Sequence, residues 1–430
     1  MALDARIAAL RERCQAAGWC WVVEAVDELQ QLLAAQHQRV SSFDPVRLLH
    51  ALAELPGRLL AARQAERLVA AGGSAALPAN LILGVGIRGE VSLDHLRLVS
   101  LGAECWQGDG TQGVRITFAD PDAQQVMVLD RSWPVAPGQA VDALMARRIA
   151  GTTVRRLASA QVVTKGARRR ANGVIEIASG VRQTSVLPLG AQSWDTLGPP
   201  LRQPGARALA SCLREAHPDF VRPKQAIEHL HVLPVAGVLD HGWDAAAQTL
   251  HARIGAENAD AEDIAHLSLQ HDAATPGAVD AMAAVLAGQW GAPVAVAGLA
   301  RVECGRLLMR PLSFLTERRA VILAAEQLAK QPLPLLEGEQ ARPALDRVVQ
   351  DTLDLLASWL RQGLRHLGGD RAGRGARQVD ALRRVGLVRA GAQLQQAMDG
   401  IGGSDRRQLP SRMATLVLLL DGARRTIRFG

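Results

Sequence analysis

The N-terminal part of the chain has apolar residues at helical spacing. An Asp-Pro pair at 44–45 is a helix-start signal, and the leucines between 48 and 55 supply one apolar face. Pro56-Gly57 then interrupts the pattern, so we expect two short helices at an angle, with a stop at Gly72-Gly73. These features predict a small helical module.

The last hundred residues return to the same spacing. Apolar residues recur at helical intervals over 345–367, and further helices are predicted over 376–399 and 410–421. Three helices joined by short loops would form an antiparallel bundle.

Between these ends the apolar period changes to two, which is typical of β-strands. A hairpin is predicted from Val114–Phe118 and Gln125–Leu129, joined by a turn at Asp120–Ala123. A second set of strands is predicted at 161–164, 174–177 and 182–187, with Asn172-Gly173 as a turn signal between the first two. Together they indicate an antiparallel sheet or a partly open barrel.

The composition shifts near Pro199-Pro200, and mixed structure follows. A helix is predicted over 206–216 and another over 276–290. Strands are predicted at 231–239, 249–254, 265–269, 294–303 and 306–312. The fold class is therefore α+β, with a helical module at 1–75, an antiparallel β-rich module at 76–200, a mixed module at 201–330 and a C-terminal helical bundle at 331–430.

The segment that begins at Gly84 raises two further hypotheses. Residues 84–89 spell GxGxxG after a strand-like 81–83, but no small-residue helix follows, so we expect glycine-rich β geometry and not a dinucleotide site. Residues 84–101 also share a loose pattern with 297–315, which gives the hypothesis of an internally duplicated β unit.

Composition narrows the class of protein. Hydrophobic residues make up 48% of the 430-residue chain, charged residues 21%, and the mean hydropathy is +0.04, as in an ordinary folded protein. Five cysteines at scattered positions allow no disulfide framework or CxxC zinc pattern, which favours a reducing cytoplasm. The largely apolar run at 413–420 is far too short to span a bilayer, so we expect no membrane association.

The net charge of +7 becomes informative only where the charge is clustered. Arg outnumbers Lys by 46 to 3, a bias that indicates a GC-rich genome. One cluster lies within 147–182 and the other within 361–389. The candidate residues for binding nucleic acid or another acidic partner are Arg155, Arg156, Lys165, Arg168, Arg169, Arg170, Arg377, Arg383 and Arg384.

The first cluster favours phosphate contact if residues 165–170 form the tip of a β-hairpin, because several guanidinium groups would then project together into solvent. Few aromatic residues lie between the basic ones, and only Trp194 lies just downstream. No stacking platform is therefore evident, and the alternative is a set of solvated arginine faces.

Two other features concern residues 229–280. Six histidines fall within this stretch, and His229 and His231 form an HxH pair that would point to one face of a strand, so His229, His231 and His241 are candidate metal ligands. The alternative is ordinary histidines on a sheet. An acidic run at 240–280 is a solvated face, a docking surface for a basic partner, or a surface for a basic segment of the same chain.

No complete catalytic motif is present, so we do not expect an enzyme and expect no cofactor. The predicted function is a binding or scaffold subunit of a bacterial cytoplasmic assembly, acting through segregated acidic and basic surfaces, with a protein partner or self-association. The alternatives are a nucleic-acid phosphate-backbone binder and a metal-dependent hydrolase that uses the His229–His271 region.

Overall fold

The computed structural model describes residues 2–37, 43–108, 110–135, 143–177, 183–328, 332–336, 343–363, 372–402 and 406–426. The fold is mixed α+β, as the change of apolar period predicts. The chain divides into two compact units. The helical unit consists of residues 1–87, 216–224 and 341–430, and the β unit consists of residues 88–215 and 225–340.

Helices are found at both ends of the chain and, more briefly, between strands. They are α1 (Ala2–Ala16), α2 (Cys20–His37), α3 (Pro45–Ala70), α4 (Ala79–Leu83), α5 (Ala143–Ala146), α6 (Val154–Ala158), α7 (Ala206–Glu215), α8 (Ala278–Leu286), α9 (Ala344–Gln362), α10 (Ala372–Arg384), α11 (Val388–Gly402) and α12 (Leu409–Thr426).

Strands occupy the middle of the chain. They are β1 (Glu90–Leu93), β2 (Leu96–Gly108), β3 (Thr111–Asp120), β4 (Gln125–Pro134), β5 (Arg148–Ile149), β6 (Thr152–Thr153), β7 (Ala160–Thr164), β8 (Ala167–Arg170), β9 (Ile175–Ile177), β10 (Thr184–Pro188), β11 (Leu230–Pro234), β12 (Val238–Asp244), β13 (Thr249–Ile254), β14 (Ala265–Gln270), β15 (Pro293–Glu303), β16 (Arg306–Thr316) and β17 (Ala320–Ile322).

The predicted break at Pro56-Gly57 is wrong, because α3 runs through it as one helix of 26 residues. The predicted start is confirmed, since the Asp44 side chain accepts a hydrogen bond from the backbone N–H of Val46. Gly57 is needed for close packing within the helical unit: a Cβ there would lie 2.7 Å from Leu418 Cδ1. Tertiary packing thus overrides the local helix-breaking signal.

The single helix predicted over 376–399 is also wrong, because α10 and α11 are separate. Gly386 between them has φ +83°, a left-handed conformation that ends a helix. The end of the helix predicted over 345–367 lies partly outside the described residues. The four predicted module boundaries remain a prediction, but the contacts place the first and last helices in one unit.

The GxGxxG segment does not follow a strand. Residues 79–83 form α4, and Gly84 is the left-handed residue that ends it, with φ +78°. A Cβ at Gly84 would lie 2.7 Å from Trp21 Cδ1, so glycine is required by close packing against α2.

The first half of the β unit contains the predicted hairpin, which is confirmed as the antiparallel pair β3–β4. Its main sheet has the order β10-β7-β2-β3-β4, and a smaller sheet has the order β1-β8-β9. A parallel bridge from Val128 of β4 to Val174 joins the two sheets. The helices α5 and α6 lie between β4 and β7 along the chain.

The second half of the β unit is one sheet in the order β11-β15-β16-β14-β13-β12, with β17 paired to β16. All its pairs are antiparallel except β14–β16. The two end strands, β11 and β12, are separated only by residues 235–237, so the sheet curls into a barrel in which they are two halves of one bent strand. Helix α8 connects β14 to β15.

The two halves of the β unit share one order of strand pairing. The first strand is β2 in one half and the bent strand β11–β12 in the other. It pairs with the second strand (β3 or β13) and with the strand after the helix (β7 or β15). The second and third strands form a hairpin, and the third strand (β4 or β14) has a parallel contact with a later segment. The repeated regions are 96–188 and 230–316. The hypothesis of a repeat between 84–101 and 297–315 is therefore wrong in its register, because the second of these segments is the β15–β16 hairpin.

Candidate nucleic-acid interface

The C-terminal barrel has a polar outer face on strands β12, β13 and β14. Leu250, Ala252 and Ile254 of β13 are buried in the barrel core, as are the matching residues of β14. Because side chains alternate along a strand, the residues between them point outward. The outward residues of β13 and β14 are Thr249, His251, Arg253, His266, Ser268 and Gln270, and none of them is buried.

This face is polar and carries positive charge beside one carboxylate. Arg253 Nε donates to Asp240 Oδ2 on β12 at 2.8 Å, and Arg253 lies opposite His266 in the register. Partial burial, together with the positive charges of Arg306 and Arg253, lowers the pKa of His266 to about 4. His266 is therefore neutral near pH 7 and presents a planar ring and hydrogen-bonding nitrogens.

A short segment at 332–336 lies along the free edge of β12. The backbone N–H of Trp243 donates to Pro334 O at 2.7 Å, and the N–H of Leu336 donates to Trp243 O at 3.1 Å. A Cβ on Gly242 would lie 2.6 Å from the Cα of Leu336, so only glycine allows this approach. The segment covers the β12 side of the face and leaves β13 and β14 uncovered among the described residues.

The hairpin-tip hypothesis for residues 165–170 is wrong. Residues 167–170 form β8, the central strand of the sheet β1-β8-β9, and the turn at Asn172-Gly173 connects β8 to β9. Burial of Ala167 in the core holds this strand in place. The arginines also have partners: Arg168 lies 3.6 Å from Glu90 and Arg170 lies 3.5 Å from Glu176.

The remaining candidates near this strand are dispersed. Arg169 donates to Gln125 Oε1 at 3.0 Å, and Arg155 donates to the carbonyl oxygen of Ala325. Arg156 and Lys165 are exposed. Arg182, which extends this cluster in the sequence, lies outside the described residues. These contacts weaken the case for one phosphate-binding surface at 147–182.

The second basic cluster lies on the helical unit. Arg377, Arg383 and Arg384 are exposed on α10, where Arg383 lies 3.9 Å from Asp380. Arg365 and Arg371 lie outside the described residues. These three arginines are exposed on one helix, and their binding of a partner stays a prediction.

The histidine candidates are not brought together as metal ligands. His229 precedes β11 and has φ +58°, so it does not follow the two-residue alternation that would align it with His231. His231 Nδ1 lies 3.1 Å from Pro200 O, and His241 is on another strand. Within the described ranges, no three His, Cys, Asp or Glu side chains are grouped to hold a metal ion.

The acidic run has partners within the chain. Arg207 on α7 lies 3.0 Å from Asp260, 3.5 Å from Glu262 and 2.8 Å from Asp263, and these carboxylates raise its pKa. Asp240 is paired with Arg253, as described above. The interpretation that the acidic run receives basic residues of the same chain therefore accounts for much of its charge.

The sequence drew attention to Trp194, but the exposed tryptophan on this part of the β unit is Trp106. Trp194 is only 1% exposed and donates to Ser100 O at 3.0 Å, so it is a core residue. Trp106, near the end of β2, is 38% exposed. Its alternation with buried Cys105 in the sequence would have placed it on the outer face.

The barrel at 230–316 has the pairing order of the OB-fold: a five-stranded Greek-key barrel with a helix after the third strand and a parallel third–fifth strand contact. The chain is thus an α+β protein that carries an OB-type barrel. The class of fold does not by itself define the ligand.

Two regions match known families of domains. Residues 227–343 match the YehQ C-terminal OB-fold domain, and residues 1–84 match the YehQ four-helical bundle domain. The chain is 38% identical over 331 residues, or 76% of its length, to Protein YehQ of Escherichia coli (strain K12). It spans about half the length of that relative, 53%. No solved structure matches the chain.

One further finding concerns membranes. None of the helices within the described ranges is both long and apolar enough to cross a bilayer.

Proposed function

We propose that this chain is a binding protein and that its C-terminal barrel binds single-stranded nucleic acid through the outer face of β13 and β14. The supporting observation is the polar face of six side chains on the second and third strands of an OB-type barrel. This is the surface on which OB barrels bind oligonucleotides or oligosaccharides.

The side chains of the face suit a single strand. His251 and His266 offer planar rings for contact with bases. Arg253 is paired with Asp240, so a phosphate would compete with that carboxylate for its guanidinium. Arg306, exposed at the start of β16, adds a second positive charge near His266. Backbone contact by these two arginines makes the affinity depend on salt.

The test is fluorescence anisotropy of labelled single- and double-stranded DNA and RNA, titrated with the full chain across a salt series. We expect single strands to bind more tightly than duplexes. Changing Arg253→Gln and Arg306→Gln together should weaken binding and reduce the slope of log affinity against log salt by about 0.7 per lost phosphate contact.

Two matched sets of variants locate the contacts. Arg168→Ala, Arg169→Ala and Arg170→Ala together change β8, and Arg377→Gln, Arg383→Gln and Arg384→Gln together change α10. Neither set should alter affinity as strongly as the barrel variant. If the β8 set has the larger effect, the phosphate contacts belong to the basic cluster predicted from the sequence. Absence of binding at low salt would refute the proposal.

A second candidate is self-association through β10, which would serve the predicted scaffold role. Among the described strands, β10 pairs only with β7, so its other edge is open. Leu187 on β10 is 55% exposed and Val163 on β7 is 41% exposed, and the register places them on the same face. An open edge with exposed apolar side chains favours pairing with a second copy.

Light scattering across protein and salt concentrations tests this candidate. Leu187→Lys should shift the chain toward monomer if β10 forms the contact. The exposed Leu60→Lys on α3 is the matched control, since it adds the same charge on the helical unit. A monomer at every concentration would rule out self-association.

A further inference from the structure

Trp106 lies on the outer face of β2, in the first half of the β unit. The neighbouring residues Cys105 and Val114 point inward and are buried in a hydrophobic core. Trp106 therefore points outward, opposite Gly113 of β3 in the register. In the repeated strand order, β2 and β3 correspond to the bent first strand and the second strand of the C-terminal barrel.

The glycine opposite leaves the space that the indole occupies. A Cβ on Gly113 would lie 2.3 Å from Trp106 Cζ2 and 2.4 Å from Cε2, so any other residue would displace the ring. Although one part of the indole contacts the strand backbone, 38% of the residue remains exposed. A large, rigid and partly exposed ring held in this way suits stacking with another planar group.

The surroundings of Trp106 connect it to the C-terminal barrel. The preceding outward row consists of Glu104, Arg115 and Asp130, with Arg115 Nε 2.9 Å from Asp130 Oδ1. Arg310 of β16 pairs with Glu104. Leu308, two residues before Arg310 on β16, lies beside His266 in the parallel register. All these residues belong to the β unit.

The outer residues are therefore contiguous from His266 of β14, through Leu308 and Arg310 of β16, to Glu104 of β2. We propose that Trp106 is a stacking platform for a base of the same single strand that crosses the C-terminal barrel. This proposal rests on the proposed function, because it extends the nucleic-acid interface from one barrel to the sheet of the first half. Arg115 and Arg310 flank the platform, and each is paired with a carboxylate, Asp130 and Glu104 respectively.

The test combines substitution with a change in the ligand. Trp106→Ala should weaken binding of an oligothymidylate of about 12 nucleotides by roughly 5- to 100-fold, the usual effect of losing one base–aromatic contact. Trp106→Phe should recover much of the loss, because phenylalanine keeps a planar ring. The matched control is Trp133→Phe, which changes a tryptophan of the neighbouring strand that points toward the core.

A strand in which successive bases are replaced by abasic sites supplies a second readout. If Trp106 stacks on a base, one abasic position should weaken binding to the original chain and leave binding to Trp106→Ala unchanged. Quenching of tryptophan fluorescence by the oligonucleotide should also decrease in Trp106→Phe. A merely structural role of Trp106 would produce neither effect.

The outcomes separate this proposal from the one on which it depends. If the chain binds single strands and the Arg253→Gln, Arg306→Gln variant binds weakly, but Trp106→Ala binds normally, the stacking platform is refuted and the barrel interface stands. If the chain binds no oligonucleotide, both fail. If a neutral oligosaccharide quenches Trp106 and oligonucleotides do not, the platform recognises a different class of ligand and the proposal is overturned.

Discussion

Arg58 provides the sharpest test of how the helical unit is held together. Its side chain is fully buried within α3. Nη1 donates to Ile82 O and Arg222 O, both at 2.8 Å, while Nη2 donates to Glu54 Oε1 at 3.0 Å. One side chain of α3 thus contacts both α4, at Ile82, and the segment 216–224, at Arg222.

The cost of removing these contacts follows from burial. Arg58→Met keeps the length of the side chain but removes every donor, so buried carbonyl oxygens lose their partner and Glu54 keeps only Lys224, at 2.6 Å. Breaking a buried, hydrogen-bonded ion pair costs about 3–5 kcal/mol. The Nε of Arg58 has no hydrogen-bond partner, which already costs free energy and favours the lower end of that range. We expect about 3 kcal/mol.

Urea unfolding of the full chain, followed by far-UV circular dichroism, measures this loss. Arg63→Met is the matched control, because Arg63 is exposed on the same helix, and it should change stability by less than about 0.5 kcal/mol. A double-mutant cycle with Glu54→Gln isolates the coupling between the two charges. A loss below about 1 kcal/mol for Arg58→Met, with an unchanged m-value, would refute the reasoning.

Three further predictions concern pH and backbone geometry. In the folded state His266 has a pKa of about 4, below its ordinary value of 6.5. The unfolded chain therefore binds a proton more readily, and the free energy of unfolding decreases as pH falls from 6.5 to 4. His266→Gln should restore about 1–2 kcal/mol of this free energy in urea unfolding near pH 4. For His50, burial opposes protonation, but its 3.0 Å contact with Asp421 outweighs it and raises the pKa, so His50→Gln should cost more stability at pH 5.5 than at pH 8.5 in thermal melts. Gly102 has φ +134° and a Cβ there would lie 2.8 Å from Leu312 Cβ, so Gly102→Ala should destabilise the β unit by about 1–3 kcal/mol in urea unfolding.

Matched variants control these measurements. His37→Gln makes the same substitution at an exposed position and is the matched control for both histidine variants. Gly89→Ala introduces the same methyl group into open space at ordinary φ and should be nearly neutral. Stability of Gly102→Ala equal to that of Gly89→Ala would contradict the steric argument. If His50→Gln lowers the stability equally at both pH values, the ion pair with Asp421 does not contribute to stability.

Local patterns in the sequence determined the elements whose partners are close along the chain. The alternation of apolar residues over 114–129 predicted the β3–β4 hairpin, and amphipathic spacing predicted α7 and α8. Such signals are reliable because the spacing of apolar residues within an element identifies the face that is buried. The same signals predicted a hairpin tip at Ala167–Arg170, which form a strand, and β geometry at Gly84, which ends a helix. At both places packing against distant segments decides the conformation.

Tertiary structure alone decided which elements meet. Periodicity shows that a strand has a buried face but not which strand pairs with it, so β8 could not be placed at the centre of a sheet with β1 from sequence alone. In the same way, Arg207 and Asp260 of the acidic run are 53 residues apart, and their pairing exists only in the fold. The outward position of Trp106 was readable in its alternation with Cys105. Its link to the C-terminal barrel through Arg310 was not, because that contact joins residues 206 positions apart.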